Sequence, residues 1–167
     1  MIQVYTGCGK GKTTAAFGQA LRAAGAGLKV FIGQFIKGRN YGELNALKKI
    51  KNIKIEQFGR DCFIKREPNK KDITLARSGL ERVRKIISLG IYDMVILDEI
   101  NVALKLRLLK LEDVISLIKN TPQKTELVLT GRYAHLEILK IADLVSEIKD
   151  RKHYYKKGIK ARRGIEY

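Results

Sequence analysis

The sequence predicts an α/β fold: a doubly wound, mostly parallel sheet of about six strands with helices on both faces. Three observations predict it. A glycine-rich loop, Thr6-Gly7-Cys8-Gly9-Lys10-Gly11-Lys12-Thr13, follows a short apolar run and opens a helix-forming one. Strand-like and helix-like segments then alternate to the end of the chain. An apolar strand, Tyr92 to Glu99, closes on two carboxylates, Asp98 and Glu99. Strand, glycine loop and helix in that order mark a P-loop NTPase, and the later Asp-Glu pair fits a RecA-like sheet.

The loop carries the chemistry. Its glycines let the backbone close round a phosphate with N–H groups pointing inward. The helix that follows presents its positive end to the same anion. Lys12 can then reach the phosphates as a point charge, and the Thr13 hydroxyl can ligate magnesium. One departure stands out. The usual pattern, G-x-x-x-x-G-K-[ST], begins with glycine, whereas Thr6 stands there and glycines fall at 7, 9 and 11. The loop is therefore expected to hold a triphosphate in its own way.

The other elements follow in order. Ile2 to Tyr5 is the first strand. Alanine-rich Lys12 to Ala24 is the first helix, closed near Gly25 and Gly27. Leu28 to Ile36 reads as a strand buried on both faces. A short helix from Glu43 to Ile50 precedes an alternating strand, Ile53 to Phe58. Gly59 to Lys71 is irregular and holds five basic residues; a loop of that length is usually functional. Asp72 is expected to cap a helix to Leu89, with Ile73, Ala76, Leu80, Val83 and Ile87 on one stripe. Leu104 to Leu109 and Leu111 to Lys119 read as helices, broken at Thr121-Pro122. Glu126 to Thr130 is a strand leading into Gly131-Arg132. His135 to Ala142 is a short helix and Leu144 to Ile148 the last strand. His135 and His153 read as structural. Residues 1–167 form one nucleotide-binding domain, with a basic, irregular tail from about residue 153.

Ligands of such sheets bind beyond the carboxyl ends of the strands. Lys12, Gln34, Lys37, Asp98, Glu99 and Arg132 all fall there, which argues for a single nucleotide site.

Composition narrows the classes. No apolar run reaches the roughly 18 residues that a membrane span needs, and Met-Ile-Gln-Val leads straight into a strand without a signal peptide. Cys8 and Cys62 make neither a disulfide framework nor a zinc pattern, so a reducing, cytoplasmic setting is expected. Net charge is +17. Eleven basic residues face four acids between Lys37 and Lys71, and eight face two from Lys149 onward. Such a field suits a heat-adapted surface, nucleic acid or an anionic small ligand. No recognised nucleic-acid module accompanies it, so nucleic acid is not the expected partner.

Five blocks then resemble one family in the right order. They are Thr6 to Gly18, Gln34-Phe35-Ile36-Lys37-Gly38, Asp93 to Glu99, Thr130-Gly131-Arg132, and the ending Gly158 to Tyr167. Together they resemble the P-loop type ATP:corrinoid adenosyltransferases, whose loop also lacks the first glycine. The resemblance implies transfer of the 5′-deoxyadenosyl group of ATP to Co(I) of a corrinoid, with triphosphate leaving. It implies triphosphate contacts from Gly7, Cys8, Gly9, Lys10, Gly11, Lys12, Thr13 and Thr14, with Arg22 near the nucleotide. Magnesium would be held at or near Thr13, Asp98 and Glu99, and Lys12 and Glu99 would be catalytic. Phe63, Gln34, Lys37 and Arg132 would face the corrinoid, Phe63 helping to detach its lower ligand. The partners implied are ATP and the corrinoid, a second copy in a homodimer, and an electron-donating reductase. Longer family members carry a segment before the first strand that covers the corrinoid site; here the site is expected to be more open, or covered by the basic tail. Two rivals stay open on the residues alone: a RecA-like ATPase acting on nucleic acid, and a small-molecule kinase resembling thymidine kinase.

Overall fold

A computed structural model describes residues 1–39, 41–60 and 67–166. Six strands, β1 (Ile2–Thr6), β2 (Val30–Phe35), β3 (Ile53–Phe58), β4 (Met94–Asp98), β5 (Glu126–Thr130) and β6 (Leu144–Glu147), form one sheet in the order β3-β2-β4-β5-β1-β6. Every pairing is parallel. Parallel neighbours cannot be joined by tight hairpins, and the crossovers carry α1 (Lys12–Gly25), α2 (Gly42–Leu47), α3 (Lys70–Leu89), α4 (Ile100–Lys105), α5 (Leu111–Lys119) and α6 (Leu136–Ile141). The expected α/β sheet is present. β5 separates the loop-bearing β1 from the carboxylate-bearing β4.

Alternation along the strands sorts the core into two layers. Val30, Ile32, Met94, Ile96 and Val128 pack with Ala16, Phe17, Ala20 and Ala23 of α1. Their neighbours Phe31, Phe35, Val95, Leu97 and Leu129 pack on the other face with α3 and α5, through Leu80, Val83, Val114 and Leu117. Successive side chains of a strand point to opposite faces, so one continuous apolar run feeds both layers.

Several boundaries shift by one to three residues, among them β2 and α2, and two differences have a local cause. The N-cap of α3 is Asn69, not Asp72. Asn69 accepts from the Asp72 N–H at 3.1 Å, and Asp72 accepts in return from the Asn69 N–H at 3.0 Å. The pair is a reciprocal capping box with Asp72 at its third helical position. The run Leu104 to Leu109 is not one helix: α4 starts directly after Glu99 and stops at Lys105, because Arg107 takes a φ of 57°. Leu108 and Leu109 reach the core from the turn that follows.

Gly79 sits inside α3 where the helix meets the sheet. A Cβ there would overlap Phe58, whose ring Gly33 of β2 also approaches closely. Phe58 also packs on Phe35, with ring centroids 5.3 Å apart. In an open helix, replacing glycine would stabilise. Here Gly79→Leu is expected to cost about 1–3 kcal/mol through overpacking. Urea unfolding should show a lower midpoint at unchanged slope. Among the described residues, no helix is long and apolar enough to cross a membrane.

Candidate active site

The glycine loop is shaped by its own backbone conformation and by one neighbouring segment. Gly7 and Gly11 take φ values of 99° and 119°, which favour glycine. The backbone just past β6 also presses against the loop. A Cβ at Gly7 would overlap the Ile148 backbone, and one at Gly9 would lie 2.9 Å from the Ile148 carbonyl oxygen. Gly9 donates its N–H to that oxygen at 2.8 Å, and Ile148 donates to the Thr6 carbonyl at 2.9 Å. The Gly9 amide is thus committed within the protein, and an anion must draw on the loop's other amides. Lys12, 8% exposed, donates to the Gly9 carbonyl at 2.7 Å. Burial, and then the nearby Arg132 cation, push its ammonium below the ordinary lysine value.

At the end of β4, Asp98 is fully buried and surrounded by donors. Oδ1 accepts from Thr13 Oγ1 at 2.9 Å and from Thr130 Oγ1 at 2.7 Å. Oδ2 accepts from Lys37 Nζ at 2.8 Å and from Gln34 Nε2 at 3.0 Å. Burial alone would raise this carboxyl; the Lys37 charge and the hydrogen bonds from Lys37, Thr130 and Gln34 outweigh it and hold the group below its ordinary value. The set brings together side chains from α1, β2 and its following loop, β4 and β5. Gln57 of β3 extends it, donating both to Gln34 Oε1 at 3.1 Å and to the Arg39 carbonyl at 3.0 Å.

Glu99 differs in every respect. Its backbone is left-handed, φ 61°, and its N–H donates to Thr130 Oγ1 at 3.1 Å. Among the described residues, no side chain donates to its carboxylate. Burial, then the charge of Asp98, push its carboxyl up. Ile36 after β2 (φ 53°) and Tyr133 beyond β5 (φ 64°) share the unusual backbone. Such conformations cost on the order of 1–3 kcal/mol each and gather where geometry is fixed for function.

These ends open onto a cavity of 990 Å³. The loop from Gly9 to Thr14 lines it, with Lys37, Glu99 and Arg132. Phe17, Gly18 and Leu21 of α1 and Leu47 of α2 give it an apolar wall.

The family described as ATP:corrinoid adenosyltransferase BtuR/CobO/CobP matches residues 1–167. The chain belongs to this family. A corrinoid adenosyltransferase of Escherichia coli K12 is 37% identical over 168 residues, covering 100% of this chain and 85% of that protein. The corrinoid adenosyltransferase of Salmonella typhimurium LT2 gives the same identity and coverage. That of Pseudomonas aeruginosa is 34% identical over 169 residues, with 100% and 83% covered.

Within this adenosyltransferase, most residues singled out from the sequence meet at the cavity, and several do not. Asp98 and Gln34 have no exposed surface and stand behind Thr13 and Lys37. Arg22 lies on the exposed side of α1, donates to Gln19 at 3.4 Å and does not line the cavity. Phe63, like Cys62, falls outside the described residues. The two histidines act as caps: His135 Nδ1 accepts from the Glu137 N–H at 3.2 Å, and His153 Nδ1 from the Tyr155 N–H at 3.1 Å. Sequence reasoning missed Tyr41, whose ring lies 5.7 Å from the Lys37 ammonium at the cavity edge. It also missed Val102; Gly164, Ile165 and Glu166, foreseen only as part of the family-like ending and of a basic tail over the site, line the cavity. The Gly at position 42, a helix start after an aromatic, was the available hint for Tyr41.

Proposed function

We propose that the cavity transfers the 5′-deoxyadenosyl group of ATP to Co(I) of a corrinoid. The cobalt electron pair forms the Co–C5′ bond, the C5′–O5′ bond breaks, and triphosphate leaves with that bonding pair. Cobalt ends formally two electrons oxidised, as Co(III). Because Co(I) is itself a strong nucleophile, the protein needs to supply position and charge, not a Ser, Cys or His nucleophile. One observation carries the reading: cations and an apolar wall share one cavity. Lys12 suits a polyanionic leaving group, with the Lys37 and Arg132 cations beside it; Phe17, Leu21 and Leu47 suit a broad, largely apolar partner.

The residues fit magnesium bound with the nucleotide. Asp98 already accepts four hydrogen bonds, whereas the Glu99 carboxylate, which lines the cavity, has no side-chain donor among the described residues. Magnesium bound with a nucleotide is ordinarily held by one or two side chains, water and phosphates. Thr13 and Glu99 would hold it, with Asp98 orienting Thr13. The ion would neutralise charge on the departing triphosphate. Gly7 to Thr14 cradle the phosphates, and Arg132 and Lys37 stand on the corrinoid side, Gln34 acting through Asp98. The resemblance supports the rest: Phe63 against the lower corrin face, a homodimer, a reductase that delivers Co(I), and a cytoplasmic setting.

The deciding experiment combines the chain with ATP, magnesium and chemically reduced cobalamin. Triphosphate and a light-sensitive alkylcobalt spectrum are expected; ADP with a phosphorylated acceptor would overturn the reading in favour of a kinase. Glu99→Ala is expected to lower turnover and raise the magnesium concentration needed for half-maximal rate. Near-normal activity at the original magnesium level would remove Glu99 from the site.

A further inference from the structure

The tail, which the sequence leaves irregular, folds back onto the glycine loop through one side chain. Lys10 Nζ donates to Glu166 Oε1 at 2.9 Å, to the Ile165 carbonyl at 3.0 Å and to Tyr154 Oη at 3.0 Å. Three acceptors use all three donors of an ammonium. Glu166 is the centre of the knot: Oε1 also takes the Tyr154 hydroxyl, and Oε2 accepts from the Arg162 N–H at 2.7 Å. The Arg162 guanidinium lies 4.8 Å from the centre of the Tyr154 ring. Among the described residues, Lys10 makes every side-chain hydrogen bond between the loop and the tail.

Resting on the reading of the cavity as the nucleotide site, we propose that Glu166 is a positioning residue that, through Lys10, fastens the tail across the bound nucleotide. The placement supports this. Gly164, Ile165 and Glu166 line the same cavity as Lys12 and Thr13, so where the tail stands sets one wall of the site. Lys10 is within the loop, three residues before Thr13, so the fastening also fixes the loop from its outer side. An exposed ion pair alone contributes little to global stability. The shared network acts instead on one local equilibrium, tail closed against tail open. A ligand that binds only the closed form loses apparent affinity in proportion to the closed fraction.

The chain without ligand, and the same chain with MgATP, test it. In Glu166→Gln, trypsin should cut after Arg162 and Arg163 faster than in the native chain, and calorimetric MgATP affinity should fall about tenfold. KM for ATP should rise in step while KM for the corrinoid does not. Glu166→Asp should recover part of both effects. Lys10→Met should free the tail as well, and the double variant should be cut no faster than Lys10→Met alone, because the residues act as one unit. Unchanged MgATP affinity in a folded Glu166→Gln, or a tail that stays protected, would overturn the proposal. Neither readout needs a corrinoid. A chain that binds MgATP, loses affinity in Glu166→Gln and yet forms no alkylcobalt sinks the transfer reading and leaves this one standing. A native chain that binds no MgATP overturns both.

Discussion

Replacing Lys12 with alanine is expected to lower the proposed adenosyl transfer by about 10²–10³-fold, the cost of removing one preorganised charge from a developing anion. The side chain is buried against its own loop and held by the Gly9 carbonyl. It therefore pays little to be ordered when substrate arrives. Burial and Arg132 already disfavour its charge, so a triphosphate entering the loop gains a cation that has few competing partners. The check is single-turnover formation of alkylcobalt at saturating ATP and pre-reduced cobalamin. A drop in kcat with unchanged folding is expected; a loss confined to KM would mean that Lys12 binds the ground state only.

The largest effect on stability is expected at Asp98. Its carboxylate neutralises Lys37 and satisfies Gln34, Thr13 and Thr130 in the interior. Asp98→Ala leaves a largely buried ammonium without its counter-charge, and the buried Gln34 and Thr130 donors without their acceptor, which costs about 3–5 kcal/mol. For a domain of this size that lowers Tm by roughly 10 °C. Activity should fall with it, since Thr13 and Lys37 lose their anchor. The pH dependence has a definite sign. Asp98 titrates below its unfolded value in the native chain, so its contribution is complete above about pH 4 and fades as pH drops through the folded value. Lys37 runs the other way: burial opposes its charge, but Asp98 outweighs burial and raises it. Its contribution is present at neutral pH and fades only as pH climbs past the ordinary lysine range, about 10. Acid unfolding followed by circular dichroism should show a component in the native chain that Asp98→Ala lacks.

The loop and β4 were legible because each packs its signal into consecutive residues. A phosphate cradle needs glycines, lysine and threonine at fixed spacing, and a strand that ends in carboxylates announces itself by an abrupt change of polarity. The sheet was legible for a similar reason, since apolar runs at its centre feed two layers at once. Long-range features left no local mark. Nothing near Gly9 in sequence shows that Ile148 takes its amide, and nothing near Lys10 shows that Glu166 awaits it. Asp98 could be read as a carboxylate at the right place, but its four donors come from three separate stretches. Boundaries failed where single residues decided them. Asn69 outcompeted Asp72 because both ends of a capping box were present, and a left-handed Arg107 cut short an apolar run with a helical look.

The contact between Ile148 and the glycines makes the outer seam of the sheet a keel for the loop proposed to cradle phosphate. A border strand can ordinarily fray without consequence. Here slack at the rim would travel inward to Gly7 and Gly9, and the grip on ATP would weaken with every cradle residue intact.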